Sequence, residues 1–149
     1  MKTKFPKKQY HMPKWFFIDA TGKMLGRLAS DASNLLMGKT NSFFSPSVDQ
    51  GNYVIIYNAE NVTISGKKEQ KKIYSRNSSR PGSLKNETYS QLKQRIPSRI
   101  IEKAIRGMLP KNILGRAYYR RLYVYSNKEI RYKKNFLDTI MDDKWIKYE

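Results

Sequence analysis

The stretch WFFIDATGKMLGRLASDASNLLMG, residues 15–38, carries three signals in succession. Trp15-Phe16-Phe17-Ile18-Asp19-Ala20 is a short apolar run between Pro13 and Thr21-Gly22, the pattern of a buried strand. Thr21-Gly22-Lys23 makes a turn. Leu25, Leu28, Ala29, Ala32, Leu35 and Leu36 then recur on one helical face, and Gly38 stands where a left-handed C-terminal cap belongs. Strand, turn and amphipathic helix in this order open an α/β unit.

Outward from there, 41–51 is polar, contains Pro46 and reads as a loop. Tyr53-Val54-Ile55-Ile56-Tyr57 is nearly continuous in apolar character, as in a strand covered on both faces. Val62-Thr63-Ile64-Ser65 alternates like a third strand, and Leu122-Tyr123-Val124-Tyr125 reads as the last. Two helices are expected between them. One runs over Glu87 to Arg95 with Asn86 as its cap, and the next begins at Pro97. The second has an apolar seam of Ile101, Ala104, Ile105, Met108 and Leu109. The stretches 66–85 and 110–121 read as irregular basic loops, rich in Ser, Gly and Pro or broken by Pro110 and Gly115. The expected fold is therefore a three-layer α/β/α domain over residues 15–125, with a small, mostly parallel or mixed sheet of about four strands. A basic N-terminal arm (1–14) precedes it, and a charged C-terminal extension (126–149) follows, weakly periodic around Phe136, Leu137, Ile140 and Met141.

Charge narrows the function. The 149 residues include 30 Lys and Arg against 12 Asp and Glu, a formal net charge of +18. Self-repulsion of that size destabilises a compact chain, so the natural complement is a polyanion. Nucleic acid fits best. A membrane surface fits less well, because no segment joins a long apolar face to a cationic one, and no run of about 18 apolar residues exists to span a bilayer. The sequence MKTKFPKKQYHMPK lacks the apolar core of a secretory signal and reads as a solvated basic arm, with the remnant of a processed transit peptide as the alternative. Cysteine is absent, which removes disulfides, thiolate metal sites and cysteine nucleophiles and favours a reducing compartment.

Enzymatic readings find little support. His11 is the only histidine and lies in the arm, so a histidine triad or zinc site has no partner. Asp19 and Asp49 have no neighbouring carboxylate in sequence, and the adjacent Asp142 and Asp143 point to different sides of any regular element. Gly38-Lys39-Thr40 resembles the end of a phosphate loop, but Ser33 occupies the first glycine position and the tripeptide follows a helix. Gly22-Lys23-Met24-Leu25-Gly26 has the context of a dinucleotide fingerprint but not its second glycine. That helix N-terminus, flanked by Lys23 and Arg27, suits an RNA phosphate instead. No cofactor or small-molecule substrate is expected.

The positive signal is cationic segments seeded with tyrosine. Lys67, Lys68, Lys71, Lys72, Tyr74, Arg76, Arg80 and Lys85 form one group. Arg106, Lys111, Arg116, Tyr119, Arg120 and Arg121 form another, with Tyr118 beside them. Lysines neutralise phosphates, arginines fork onto them or stack on bases, and tyrosines offer stacking faces. The bland alternative is solvated surface charge with Tyr118 and Tyr119 partly in the core. With so few acids to compensate, the groups together favour nucleic-acid binding.

These residues also resemble the bacterial and organellar type of the large-subunit ribosomal protein thirteen family. The likeness runs collinearly from Trp15-Phe16-Phe17-Ile18-Asp19-Ala20 and Leu25-Gly26-Arg27-Leu28-Ala29 through Gly51-Asn52-Tyr53-Val54-Ile55-Ile56, Asn58-Ala59 and Ser65-Gly66-Lys67-Lys68. It continues with Arg80-Pro81-Gly82, Leu84-Lys85 and the specific run Ile105-Arg106-Gly107-Met108-Leu109-Pro110-Lys111 with Leu114-Gly115-Arg116. The resemblance implies a non-enzymatic constituent of the large ribosomal subunit that binds its rRNA during assembly and contacts neighbouring ribosomal proteins. It maps the phosphate-facing loops onto Lys67–Lys85 and Lys111–Arg121. Asn77-Ser78-Ser79, Ser83 and Asn112-Ile113 depart from the family pattern, and the tail after Tyr125 does not follow it. General likeness and an AT-rich residue bias point to a plastid ribosome, with a bacterial cytoplasm as the alternative. Two rivals stay open from sequence: a free-standing mRNA-binding regulator using the same loops, and a nucleotide-dependent enzyme on the same core.

Overall fold

The computed structural model describes residues 13–42, 44–127 and 146–148. Strand β1 (Trp15–Asp19) leads through the turn at Gly22 into helix α1 (Leu25–Met37) and back into β2 (Tyr53–Tyr57). A 3-10 turn over Ala59–Asn61 is followed by the short helix α2 (Lys68–Lys71) and strands β3 (Ile73–Arg76) and β4 (Lys85–Thr88). Helices α3 (Tyr89–Arg95), α4 (Ser98–Met108) and α5 (Ile113–Tyr119) precede β5 (Leu122–Val124), and Ile146–Tyr148 forms β6. The main sheet has the order β5-β2-β1-β6, and its three pairings are all parallel. β3 and β4 form a separate antiparallel hairpin.

The α/β class and the parallel sheet agree with the sequence reading, but the fourth strand is β6 and not 62–65. That segment makes a single bridge, Met24 to Thr63. Its backbone does local work there: the Leu25 N–H donates to the Thr63 carbonyl at 2.9 Å and the Thr63 N–H to the Lys23 carbonyl at 3.1 Å. Helix α1 has no side-chain cap at its start, so this pairing satisfies a donor that the helix itself leaves open. At the other end Gly38 adopts φ 75°, as expected of the cap. A Cβ there would also run into the Gln50 carbonyl, so glycine is required twice over.

One hydrophobic core joins Phe16, Ile18, Val54 and Ile56 of the strands to Leu28, Leu35 and Leu36 of α1, Leu92 of α3, Ile101 and Ile105 of α4 and Tyr118 of α5. Each such side chain removed from water is worth roughly 2 kcal/mol. Ile55 is fully buried but outside this cluster, on the face where the Trp15 and Tyr53 rings stack with centroids 4.1 Å apart. Asn52, fully buried, ties the layers together: its Nδ2 donates to the Leu35 carbonyl at 3.1 Å and its Oδ1 accepts from the Lys14 N–H at 3.1 Å.

Four local expectations are corrected. The stretch 66–85 is not irregular, because α2 and the β3–β4 hairpin occupy much of it; both strands are largely exposed, so they carry no apolar alternation to read. The stretch 110–121 contains α5, whose start is capped by Asn112 Oδ1 accepting from the Gly115 N–H at 2.8 Å. Helix α3 starts at Tyr89, where Thr88 and Gln91 form a reciprocal capping box, while Asn86 lies in β4. Met108, expected on the apolar seam of α4, is 43% exposed. The arm up to Met12, including His11, and the expected periodicity around Phe136 to Met141 with Asp142 and Asp143 lie outside the described residues.

Candidate nucleic-acid interface

The two carboxylates that an enzyme reading would recruit are both committed to structure. Asp19 Oδ1 accepts from the Thr21 N–H (2.9 Å), the Thr21 hydroxyl (2.8 Å) and Asn58 Nδ2 (3.0 Å). Burial works to raise its pKa, but these hydrogen bonds and the Lys23 charge together hold it below the usual carboxylate range. Asp49 forms an ion pair with Arg121 across 2.6 Å, with the two side chains 10% and 20% exposed. No group of three or more potential metal-ligating acids, histidines or cysteines occurs among the described residues.

The first cationic group is open to solvent. Lys67, Lys68, Lys71, Lys72, Arg76, Arg80 and Lys85 are all exposed, spread over α2, the hairpin strands and the hairpin tip. The tip is shaped by Ser79 at φ 67° and Gly82 at φ 74°, and Asn77 Oδ1 accepts from the Ser83 hydroxyl at 2.6 Å. Among the described residues only two ion pairs form, Arg95–Glu87 and Arg121–Asp49, and neither involves these seven cations. Tyr74 is half-buried. Its ring lies 5.4 Å from the Lys72 ammonium and 5.0 Å from that of Lys103, and burial raises its phenol pKa. It orients lysines more than it offers a free stacking face.

The second group divides. Arg106, Lys111, Arg116 and Arg120 are exposed. Tyr119 is half-buried under the Arg106 guanidinium at 5.7 Å, and Tyr118 is in the core. Arg121 faces inward: its guanidinium grips both Asp49 carboxylate oxygens and the Gly51 carbonyl and lies 5.7 Å from the Tyr53 ring. Lys23 is partly buried beside Asp19, whereas Arg27 is exposed on the first turn of α1.

Sequence alone does not single out Arg99 and Lys103. With Arg106 they stand at steps of four and three on one face of α4. Lys103 bridges the two groups, touching Tyr74 of the hairpin while Arg106 reaches Tyr119 of α5. The spacing is visible in the sequence, but the apolar seam of the same helix is the stronger signal.

The run from Leu109 to Gly115 has a packing explanation. Leu109 is buried, Asn112 caps α5, and a Cβ on Gly115 would collide with the Pro110 carbonyl. The spacing of proline, asparagine and glycine thus follows from closure of the α4–α5 corner. Comparison with known families agrees: a family described as "Ribosomal protein L13" matches residues 13–131. The chain belongs to the Ribosomal protein L13 family. It is 48% identical over 129 residues to "Large ribosomal subunit protein uL13" of Picosynechococcus sp., covering 87% of this chain and 85% of that one. A Synechococcus sp. protein of the same name is 51% identical over 116 residues, 78% of this chain and 77% of its own. "Large ribosomal subunit protein uL13c" of Arabidopsis thaliana is 51% identical over 130 residues, 85% of this chain and 54% of the longer plant protein. The matched residues 13–131 include all the exposed cations described above.

Proposed function

We propose that this chain is a structural constituent of the large ribosomal subunit, non-enzymatic, and that it serves in a plastid ribosome. Membership of the L13 family supports the first statement, and the cyanobacterial and plant relatives support the second. It binds large-subunit rRNA and adjoins neighbouring ribosomal proteins. The observation that carries the RNA reading is the set of exposed cations without acidic partners on α2, the hairpin, α4 and α5. Lys67, Lys68, Lys71, Lys72, Arg76, Arg80, Lys85, Arg106, Lys111, Arg116 and Arg120 form the phosphate-facing surface, joined by Arg27, Arg99 and Lys103. Tyr74 and Tyr119 hold cations in place. Each neutralised phosphate releases counterions, so a rigid core carrying many such contacts draws together RNA segments that otherwise repel.

The test is sedimentation of the tagged chain from an organelle lysate through a gradient in high salt. Co-migration with the large subunit, abolished by ribonuclease, is the expected result. Release to the top of the gradient overturns the ribosomal reading and favours a free regulator of mRNA.

A further inference from the structure

A groove of about 500 Å³ lies where α1, α2 and α4 meet. Its floor is apolar, built from Met24, Ile64, Ala104 and Met108. Its rim is cationic, with Arg27, Lys68 and Lys72, and no carboxylate lines it. Two observations set it apart from ordinary surface. Met24 and Met108 are 42% and 43% exposed, so two flexible, polarisable side chains are partly open to water. Each is also tied to its surroundings: the Met24 backbone is bridged to Thr63, and Met108 Sδ accepts from the Ser30 hydroxyl at 3.7 Å.

We propose that this groove takes a single unstacked RNA nucleotide, its base lying on the methionine floor and its flanking phosphates on Arg27, Lys68 and Lys72. The proposal rests on the rRNA-binding reading above and adds to it a site for a base. Charge complementarity selects the occupant. An apolar side chain from a protein neighbour would cover the floor but leave three cations unmatched. An acidic peptide would match the cations but leave the thioethers wet. A nucleotide presents a flat apolar face and anionic phosphates within one unit, as splayed-out bases of folded RNA do. Ser65, whose hydroxyl lies 3.4 Å from Lys68 Nζ, is the one neutral hydrogen-bonding side chain at the rim. The groove therefore distinguishes an unpaired nucleotide from a paired one more than it distinguishes among bases.

Two variants of the full chain, titrated against large-subunit rRNA at several salt concentrations, separate the alternatives. Replacing both methionines (Met24→Ala with Met108→Ala) should weaken binding about fivefold with an unchanged salt slope, since only apolar contact is lost. Replacing both lysines (Lys68→Gln with Lys72→Gln) should weaken binding and lower the slope by about two. Native affinity in the methionine variant, beside a weakened lysine variant, overturns the groove while leaving rRNA binding intact. Failure of the native chain to bind rRNA overturns both readings. In a second measurement, the chain is made with a photoreactive methionine analogue and bound in subunits. Crosslinks from the Met24 and Met108 peptides to one unpaired nucleotide are expected, and crosslinks only to a neighbouring protein or to paired RNA overturn the proposal.

Discussion

The hairpin region around Lys67–Lys85 and the α4–α5 corner around Arg106–Arg121 look alike as sequence, each basic, each carrying tyrosine and punctuated by glycine and proline. In the fold they diverge. The hairpin cations are exposed and lack acidic partners, whereas the corner buries Tyr118, caps α5 with Asn112 and spends Arg121 on Asp49. The difference turns on one acid 72 residues away in sequence. An arginine that finds a partly buried carboxylate becomes a strut, and one that finds none remains available to a polyanion. Charge counted along the chain cannot separate these two outcomes, but the position of the few acids can.

The comparison breaks most visibly at the corner. Gly115→Ala places a methyl group against the Pro110 carbonyl, and the corner must shift to accept it. A loss of about 3 kcal/mol is expected, read as a lower urea midpoint. Next in size is Asp49→Ala, which strands the Arg121 guanidinium. The pair is partly solvated, with side chains 10% and 20% exposed, so about 2 kcal/mol is expected, less than for a fully buried pair. An unchanged midpoint in Asp49→Ala would show that Arg121 is not a strut and return it to the RNA-facing set.

Much of this architecture is legible in the sequence. The apolar runs at Trp15–Asp19 and Tyr53–Tyr57, the face of α1 and the Gly38 cap follow from local chemistry, because burial and periodicity act over a few residues there. What resists reading has a different cause in each case. The β3–β4 hairpin is held by backbone pairing between exposed strands and so has no apolar pattern. Helix α5 carries Gly115 for a close approach to Pro110, and glycine lowers helix propensity. The segment 62–65 alternates like a strand yet serves to cap α1 through Thr63. The exposed cations of the proposed interface stand mostly in basic runs of the sequence, while the inward turn of Arg121 and the bridging place of Lys103 depend on contacts across the fold.

Within the proposed interface the expected effects are on binding and not on stability. Changing Lys67, Lys68, Lys71 and Lys72 together to glutamine should leave the urea midpoint unchanged and lower the salt slope of rRNA binding by about three. Arg116→Ala with Arg120→Ala should act in the same sense but lower the slope by about one to two, since this cluster offers fewer free cations. A fall in stability in either variant would mean that those residues, like Arg121, are braced internally.

The smallest effect lies where the hairpin meets α3. Arg95 Nη2 donates to both Glu87 carboxylate oxygens, at 2.8 and 2.7 Å, in an ion pair whose side chains are 49% and 38% exposed. The hydrogen bond from Arg95 holds the Glu87 pKa below its ordinary value of 4.5; slight desolvation opposes this, and the charges of Arg95, Lys103 and Arg99 reinforce it. Because the folded-state pKa is depressed, the stabilisation is present above pH 4.5 and is lost as pH falls through the lower folded value. Glu87→Gln should therefore be slightly less stable than the native chain at neutral pH, and the gap should close below pH 4.5 as the native carboxylate protonates. Thermal melts of both chains across that range measure it. Added salt should shrink the neutral-pH gap as well, since solvent and ions screen a pair this exposed. A gap that persisted in acid would place the contribution of Glu87 in packing of the hairpin against α3, and the hairpin would then share the structural character of the corner.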